Sequence, residues 1–560
     1  MKKLLIGLIL ALAFTFAIPQ IHATEIKGNF LDIVTKGPWI DVRAYATVTL
    51  ANTAAYSTGK TLLITQECIL PASTTLTASV MVIKGGSFTH VHPFTLTING
   101  PFEAGLYQVF SGFSAGDVTF GPGAVKEVYP EWWGNNTTPG TTDMILPITY
   151  AIGSITSTSA MIVKFSPCAY KITTPILIDR DYTTLDLNGG AIYQATINTD
   201  AIQIAKATGG ATARNRVTIK NGYVIGGTVS GSAINAEECH HLRLENLGLW
   251  AGDTSGKGIH IKTCYYTVMD KIIISVNYTA PYGLTPPGSE IGYDGIYCDG
   301  QNDTVSIMNF DITGLKRDAI SIPGPTSNTH FNIGAGRYDG SGRYGFYASH
   351  LFDSKIYNIS GEANTTKDIY IDASGRCELR NLGGDKGLEF GAANHSMQSF
   401  NLFFGCDAAY IIGTGYDNSF TDCAQAGNTL PTDNGTRTRW VNFFNYTWPP
   451  VTLISSRKGV QINITAFATG GQANAVALIA DICEISVCAT AGDSVKLPVA
   501  APGFQIIIIN HGIASCNVFP NTSDAINEAA PDAAKTLAAD ASMICNSWDT
   551  TNWECLTLAR

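Results

Sequence analysis

The chain has 560 residues, with 35 Lys+Arg against 45 Asp+Glu and a formal net charge of −10. Only 14% of residues are charged, 45% are hydrophobic and 56 are glycine, where an ordinary soluble domain is about a quarter charged and ~7% glycine. These values exclude a disordered chain, a charge-laced coiled coil and a nucleic-acid binder working through phosphates, and they fit a long β-rich chain of several domains.

The N-terminus reads Met1-Lys2-Lys3, then an apolar run from Leu4 to Ile18, then Ile21-His22-Ala23. A basic start, an h-region of about 15 residues and a small residue at the cut describe a signal peptide over 1–23. Pro19 interrupts the run, which is short of the ~20 residues needed to cross a bilayer. The expectation is a bacterial protein that is secreted or held at the cell surface, with no membrane span in the mature chain. Loss of Lys2 and Lys3 leaves 33 basic against 45 acidic residues, a charge of −12. Residues 24–128 hold short β-like runs such as Thr95-Leu96-Thr97-Ile98 and Asp117-Val118-Thr119-Phe120, read as a small β-module or as early coils.

Between 200 and 425 a small residue or an aspartate is repeatedly followed by alternating apolar positions. The segments begin at Ala233, Gly258, Gly295, Ala319, Gly345, Asp368, Gly387 and Ala409, separated by 25, 37, 24, 26, 23, 19 and 22 residues. Such a period marks a solenoid. Asn246, Asn309, Asn332, Asn358, Asn381 and Asn401 each fall 13 or 14 residues after a start. Asparagine tolerates the left-handed backbone of a tight corner and can form a ladder along the axis. The fold class is therefore all-β, a parallel β-helix solenoid over 129–445.

The chain here resembles the pectin lyase-like, or pectate lyase superfamily, right-handed β-helix proteins. The resemblance includes Val128-Tyr129-Pro130-Glu131-Trp132-Trp133-Gly134, a helical Thr142–Ile155 segment and the Val163–Tyr170 run, similar to that superfamily's cap and first strand. Phage tailspikes carry similar P-E-W-W-G segments. The Gly-Asp-Gly usual before the cap helix is replaced by Asn135-Asn136-Thr137-Thr138-Pro139-Gly140.

Alternation predicts an outward column of His260, Tyr297, Ser321, Tyr347, Tyr370 and Glu389, with Lys262, Asp299 and Asp372 two residues further on. At ~4.8 Å per coil, such a line suits an extended glycan, with aromatic faces stacked on sugars and carboxylates accepting from hydroxyls. An ordinary exposed strand also favours tyrosine. Tyr297, Asp299, Tyr347, Tyr370 and His260 are the expected substrate-binding residues.

Asp294 and Asp318 each precede a coil start, which stacks them closely enough for their titrations to couple. The insertion Val276–Tyr293 precedes them and is long enough to wall a cleft. Paired carboxylates serve glycoside hydrolysis. The surroundings resemble polygalacturonase-type hydrolases, whose N-T-D-G-I-D and D-D-C-I-A-I motifs appear as Gly292–Tyr297 and Arg317–Ile322. Arg317 stands where the family places its proton donor, and Asn328-Thr329-His330 is a poor counterpart of its Gly-His-Gly. The superfamily's lyases imply a second chemistry, proton abstraction by Arg317 or Arg343 helped by Ca²⁺ on Asp294, Asp318 and Asp299. A third reading has both aspartates capping turns. The expected catalytic set is Asp294, Asp318 and Arg317, with no metal unless the chain is a lyase.

Thirteen cysteines suit an exported chain with some disulfides. Cys483 with Cys488, and Cys545 with Cys555, are either local bridges or buried free thiols. Cys239 and Cys264, each six residues after a coil start, are expected as packed thiols, and Cys239-His240-His241 is a poor metal signal. After Trp448-Pro449-Pro450 a separate C-terminal β-domain is expected over 446–560. The functional expectation is binding or processing of an extracellular polysaccharide by a glycoside hydrolase-like or lyase-like β-helix. The alternative is a non-catalytic adhesin, tailspike-like fibre or appendage component, for which a homotrimer is one assembly. Net acidity favours a neutral glycan, or none, over pectate.

Overall fold

The computed structural model describes residues 37–90, 93–156, 161–204, 214–275, 279–284, 292–324, 327–372, 374–391 and 460–559, and only the strands between 396 and 446. The segment read as a signal peptide, Asn401, Ala409, Tyr410 and most of the Val276–Tyr293 insertion lie outside the described residues. The chain divides into two compact units, residues 1–256 with 279–288 and residues 257–278 with 289–560.

In the first unit the solenoid starts early. Residues 61–120 form three short parallel sheets in which Leu62, Val80 and Phe102 are in register, as are Cys68, Phe88 and Phe110, and Thr74, Leu96 and Val118. The runs at Thr95 and Asp117 are thus neighbouring coils. Alternate residues point inward because strand side chains have period two, and the interior fills with Phe88, Phe102, Phe110 and Phe120. The P-E-W-W-G segment supplies the next aromatic layer. Trp132 sits 5.1 Å from Phe102 and Trp133 5.0 Å from Phe110, centroid to centroid, and Trp132 Nε1 donates to the Gly105 carbonyl at 3.1 Å. The expected cap helix is present as Ile145–Gly153. Beyond it, Ile176, Ile202 and Ile234 stack in parallel register.

In the second unit the repeat becomes a parallel sheet, here called the front sheet. Its strands include Lys257–Lys262, Asp294–Asp299, Ile320–Ile322, Tyr344–Ser349, Lys367–Asp372 and Leu388–Phe390, stacked in that order. Ile259, Ile296, Ile320, Phe346, Ile369 and Leu388 are paired one coil to the next, and all are buried. The repeat offsets read from the sequence are therefore the strand register. The architecture is a parallel β-helix. Glycine permits close filling of the interior: a Cβ on Gly345 or Gly361 would stand 2.1 Å from the Tyr338 ring.

The asparagine corner is real but interrupted. Asn246, Asn309, Asn358 and Asn381 have φ between 52° and 54°. Asn381 Nδ2 donates to Asn358 Oδ1 at 2.9 Å, and Asn246 Nδ2 to Asn221 Oδ1 at 3.2 Å. Asn332 is not part of it. It opens the strand Asn332–Asp339, and the corner of that coil falls on Ala335, at φ 52°. A regular offset of 13 identified the wrong residue because the preceding turn is three residues out of phase.

The C-terminal module comprises two sheets. One has strands Val460–Thr465, Ile482–Val487, Phe504–Asn510, Ala541–Ser547, Asn552–Ala559 and Ala525–Ile526 in spatial order; the other has Val476–Ala477, Asp493–Lys496, Cys516–Phe519 and Lys535–Leu537. Unlike the coils, it mixes parallel and antiparallel pairs. Cys483, Ile485, Val495, Ile508, Val518, Met543 and Trp553 belong to its core. Cys545 and Cys555 face each other across antiparallel strands and are bonded. Cys483 and Cys488 are free and buried, because the extended strand between them holds them about 16 Å apart, beyond disulfide reach. Cys239 and Cys264 are buried as well. Among the described residues no helix is long and apolar enough to cross a membrane.

Ala335 occupies a left-handed corner at the position of Asn309 and Asn358 in neighbouring coils. Ala335→Asn should raise stability by about 1 kcal/mol, from relief of backbone strain and a restored ladder contact. The check is a rise in melting temperature; an unchanged or lower one would refute the corner assignment.

Candidate functional site

The outward column forms as expected. His260 pairs with Tyr297, Tyr297 with Ser321, Ser321 with Tyr347, Tyr347 with Tyr370 and Tyr370 with Glu389. Lys262 pairs with Asp299, and Ser349 with Asp372. Ser321 is the buried member, at 1% exposure, which divides the column into two aromatic groups.

On one side of Ser321, His260 lies edge-on to Tyr297 at 5.3 Å and 67°. Lys257 Nζ stands 5.1 Å from the same ring, and the Arg317 guanidinium lies 5.5 Å from it and 4.7 Å from Tyr293. His260 Nε2 is 3.9 Å from Asp299 Oδ2. On the other side Tyr344, Tyr347 and Tyr370 stack nearly parallel, with centroids 4.9 to 5.7 Å apart and planes within 20°. Arg343 caps this stack, 4.8 Å from Tyr344 and 4.9 Å from Tyr347. The rings expected as separate platforms therefore lie against one another and against arginine.

The hydroxyls remain donors at neutral pH. Burial raises the phenols of Tyr297, Tyr344 and Tyr347, and burial together with Asp372 pushes Tyr370 up to about 12.

Asp294 and Asp318 occupy one coil position, and both are fully buried. Arg317 Nε and Nη2 grip Asp294 Oδ1 and Oδ2 at 2.7 and 2.5 Å, and the Asp318 backbone N–H donates to Asp294 Oδ1 at 3.4 Å. One coil on, the pattern repeats: Arg343 Nε donates to Asp318 Oδ1 at 2.9 Å, its Nη2 to Oδ2, and the Tyr344 N–H to Oδ1 at 3.2 Å. Arg317 Nε also lies 3.6 Å from Asp318 Oδ2. Each aspartate thus holds the backbone of the next coil and the arginine before it, and fork-on-carboxylate pairs of this kind are strong and directional. Burial nonetheless raises the Asp294 carboxyl, with Arg317 opposing and Asp318 adding to the rise. Arg317 is held above its ordinary value: burial lowers it, and the Asp294 fork overcomes that.

His330 follows the strand Asn328–Thr329 of another sheet, and its Nδ1 and the Thr329 hydroxyl both reach Asp303 Oδ1 at 2.7 Å. In the insertion, Tyr282 Oη donates to the Gly189 carbonyl at 2.7 Å within the first unit. The Ca²⁺ expected of a lyase does not fit these carboxylates, since guanidinium groups fill the coordination positions. Among the described residues no three His, Cys, Asp or Glu side chains are grouped to hold a metal ion.

Sequence reasoning missed Tyr293 and Tyr344 and gave Arg343 only a passing role. The signal was one residue upstream of the aspartates: Tyr293-Asp294, Arg317-Asp318 and Arg343-Tyr344 recur at the coil spacing. A third buried aspartate, Asp368, stands one position beyond this column, next to Lys367. It accepts from Asn364 Nδ2 at 2.8 Å and from the Lys386 and Gly387 N–H groups at 2.6 and 2.9 Å, and burial pushes it up to about 6.

No protein-family model matches the chain, and no curated protein matches it significantly. Among solved structures, it is similar to the Dettilon tailspike protein, with 15% identity, TM-score 0.41, and coverage of 56% of this chain and 70% of that one. It is also similar to DFA-IIIase from Arthrobacter chlorophenolicus A6, with 10% identity, TM-score 0.38, and coverage of 61% and 95%. A third is PfbA, a surface adhesin of Streptococcus pneumoniae, with 10% identity, TM-score 0.35, and coverage of 56% and 93%.

Removing one partner of a buried ion pair leaves a charge without compensation. Arg317→Met should cost about 3 kcal/mol, and adding Asp294→Asn should recover much of that loss, as read by chemical denaturation. Full additivity of the two losses would refute the reading of this pair as a staple that ties one coil to the next. For Asp368, the folded value of about 6 lies above the unfolded one. Folding therefore takes up a proton between about pH 6 and 4, and this group's contribution to stability rises as pH falls through that window. Asp368→Asn should flatten the melting-temperature slope there; an unchanged slope would refute the assignment.

Proposed function

We propose that this chain is an exported protein that binds an extended neutral polysaccharide along the front sheet, without cleaving it. The observation that carries this reading is the unbroken register from His260 to Glu389, with tyrosines stacked and braced by arginine. That register presents phenol hydroxyls, Asp299, Asp372 and Glu389 at coil intervals of ~4.8 Å, a linear array of donors and acceptors. A rigid array loses little entropy on binding, which favours affinity from many modest hydrogen bonds.

Neutral sugars fit better than uronates. Arg317 and Arg343, the cations at the centre of the strip, are already matched by Asp294 and Asp318. In this reading Asp294, Asp318 and Arg317 hold the platform in shape and do not act on a glycosidic bond. A buried carboxylate gripped by a fork can neither reach a leaving oxygen nor position a water. Binding without turnover is what an adhesin or fibre needs. The basic, apolar leader supports export, and the Cys545–Cys555 bond suits an oxidising compartment.

The test is binding to a panel of neutral and acidic polysaccharides by affinity electrophoresis and calorimetry. The Tyr347→Phe/Tyr370→Phe double variant should weaken binding about tenfold or more while retaining the fold, at ~1 kcal/mol for each lost hydroxyl contact. Unchanged affinity would refute the platform. A reducing-end assay completes the test, since products made by the wild type and abolished by Asp294→Asn would overturn the staple assignment.

A further inference from the structure

The C-terminal module contains two buried thiols that the polysaccharide reading does not use. Cys488 follows the end of the strand Ile482–Val487 in one sheet, and Cys516 opens the strand Cys516–Phe519 in the other. Two independent ties bring them together. The Asp493 carboxylate accepts from the N–H groups of Ala489 and Thr490 at 2.8 and 3.0 Å, and Asp493 is the register partner of Cys516. From the other side, Ala514 donates its N–H to the Cys488 carbonyl at 3.1 Å. Chain 510–514 passes so close that a Cβ on Gly512 would lie 2.4 Å from Cys488 Cβ. Cys488 Sγ donates to the Thr490 carbonyl and Cys516 Sγ to the Asn517 carbonyl, both at 3.9 Å, and each thiol is near enough to act on the other's titration. Both residues belong to the same core.

We propose that Cys488 and Cys516 are an oxidation site that closes as a second disulfide, joining the two sheets of the module. This differs in kind from Cys545–Cys555, which links adjacent strands of a single sheet. The chemistry is thiol–disulfide exchange with a small-molecule or protein disulfide. One thiolate attacks that disulfide and expels one thiolate from it. The second cysteine then attacks the mixed disulfide and releases the other thiolate. Two protons and two electrons leave the pair, and the co-reactant is reduced to two thiols. Burial raises both thiols, so little thiolate is present in the folded module and exchange runs mainly while the chain folds.

The experiment refolds the full chain from denaturant in a glutathione/glutathione-disulfide buffer, with a parallel arm in reduced glutathione alone. Free thiols are then alkylated and the protein is digested without reduction for peptide mass spectrometry. The expected result is a peptide joining Cys488 to Cys516 in the oxidising arm, with both residues alkylated in the reducing arm. The oxidised protein should also melt at a higher temperature than the Cys488→Ala variant treated identically. Full alkylation of Cys488 and Cys516 in the oxidising arm, with the Cys545–Cys555 peptide recovered intact, would overturn the proposal. So would a bond from either cysteine to Cys483. The peptide map uses the wild-type chain, so the result does not depend on the variant folding. It is also independent of glycan binding, and failure of one reading leaves the other standing.

Discussion

The structure depends on parallel hydrogen bonding between successive coils. That ladder fixes strand spacing at ~4.8 Å and brings equivalent residues of consecutive repeats into contact. A side chain is then defined less by its sequence neighbours than by the residues one repeat before and after it. Low charge and high glycine follow. A column of like charges stacked at this distance repels itself, so ionic columns need an alternating partner. An interior crossed by rings such as Tyr338 needs positions without a Cβ.

The candidate site shows how the chain meets that constraint. Asp294 and Asp318 stand in one column, and two buried carboxylates there would destabilise the fold if left alone. An arginine one position earlier in each following coil resolves the conflict by gripping the aspartate behind it. The same arginines lie over tyrosine rings, so one device neutralises the interior and stiffens the outer face. The device ends where Tyr344 and then Lys367 take over the column. From there the tyrosine stack forms the surface.

The solenoid was legible because its signal is periodic. Inward isoleucines, the outward column and the offsets of 37, 24, 26, 23 and 19 residues all became register pairs. Corners were less legible. Turns between strands absorb insertions without disturbing the ladder, so counting from a coil start misplaced one corner onto Asn332 instead of Ala335. The aspartates were found, but their state was not, because their partners belong to the following coil. Ring orientation was also hidden: a tyrosine in a strand pattern carries no mark of whether its face is open or stacked.

By itself, the sequence determined the repeat, the direction of each strand side chain and the residues sharing a column, because these follow from a two-residue alternation and a recurring length. Tertiary structure decided what the column does. It matched Arg317 to Asp294 and Arg343 to Asp318, gathered the rings of Tyr344, Tyr347 and Tyr370, and set Cys488 beside Cys516 while leaving Cys483 apart. Those outcomes depend on side-chain distances of a few ångströms, most of them between chain segments more than twenty residues apart, and no local pattern encodes them.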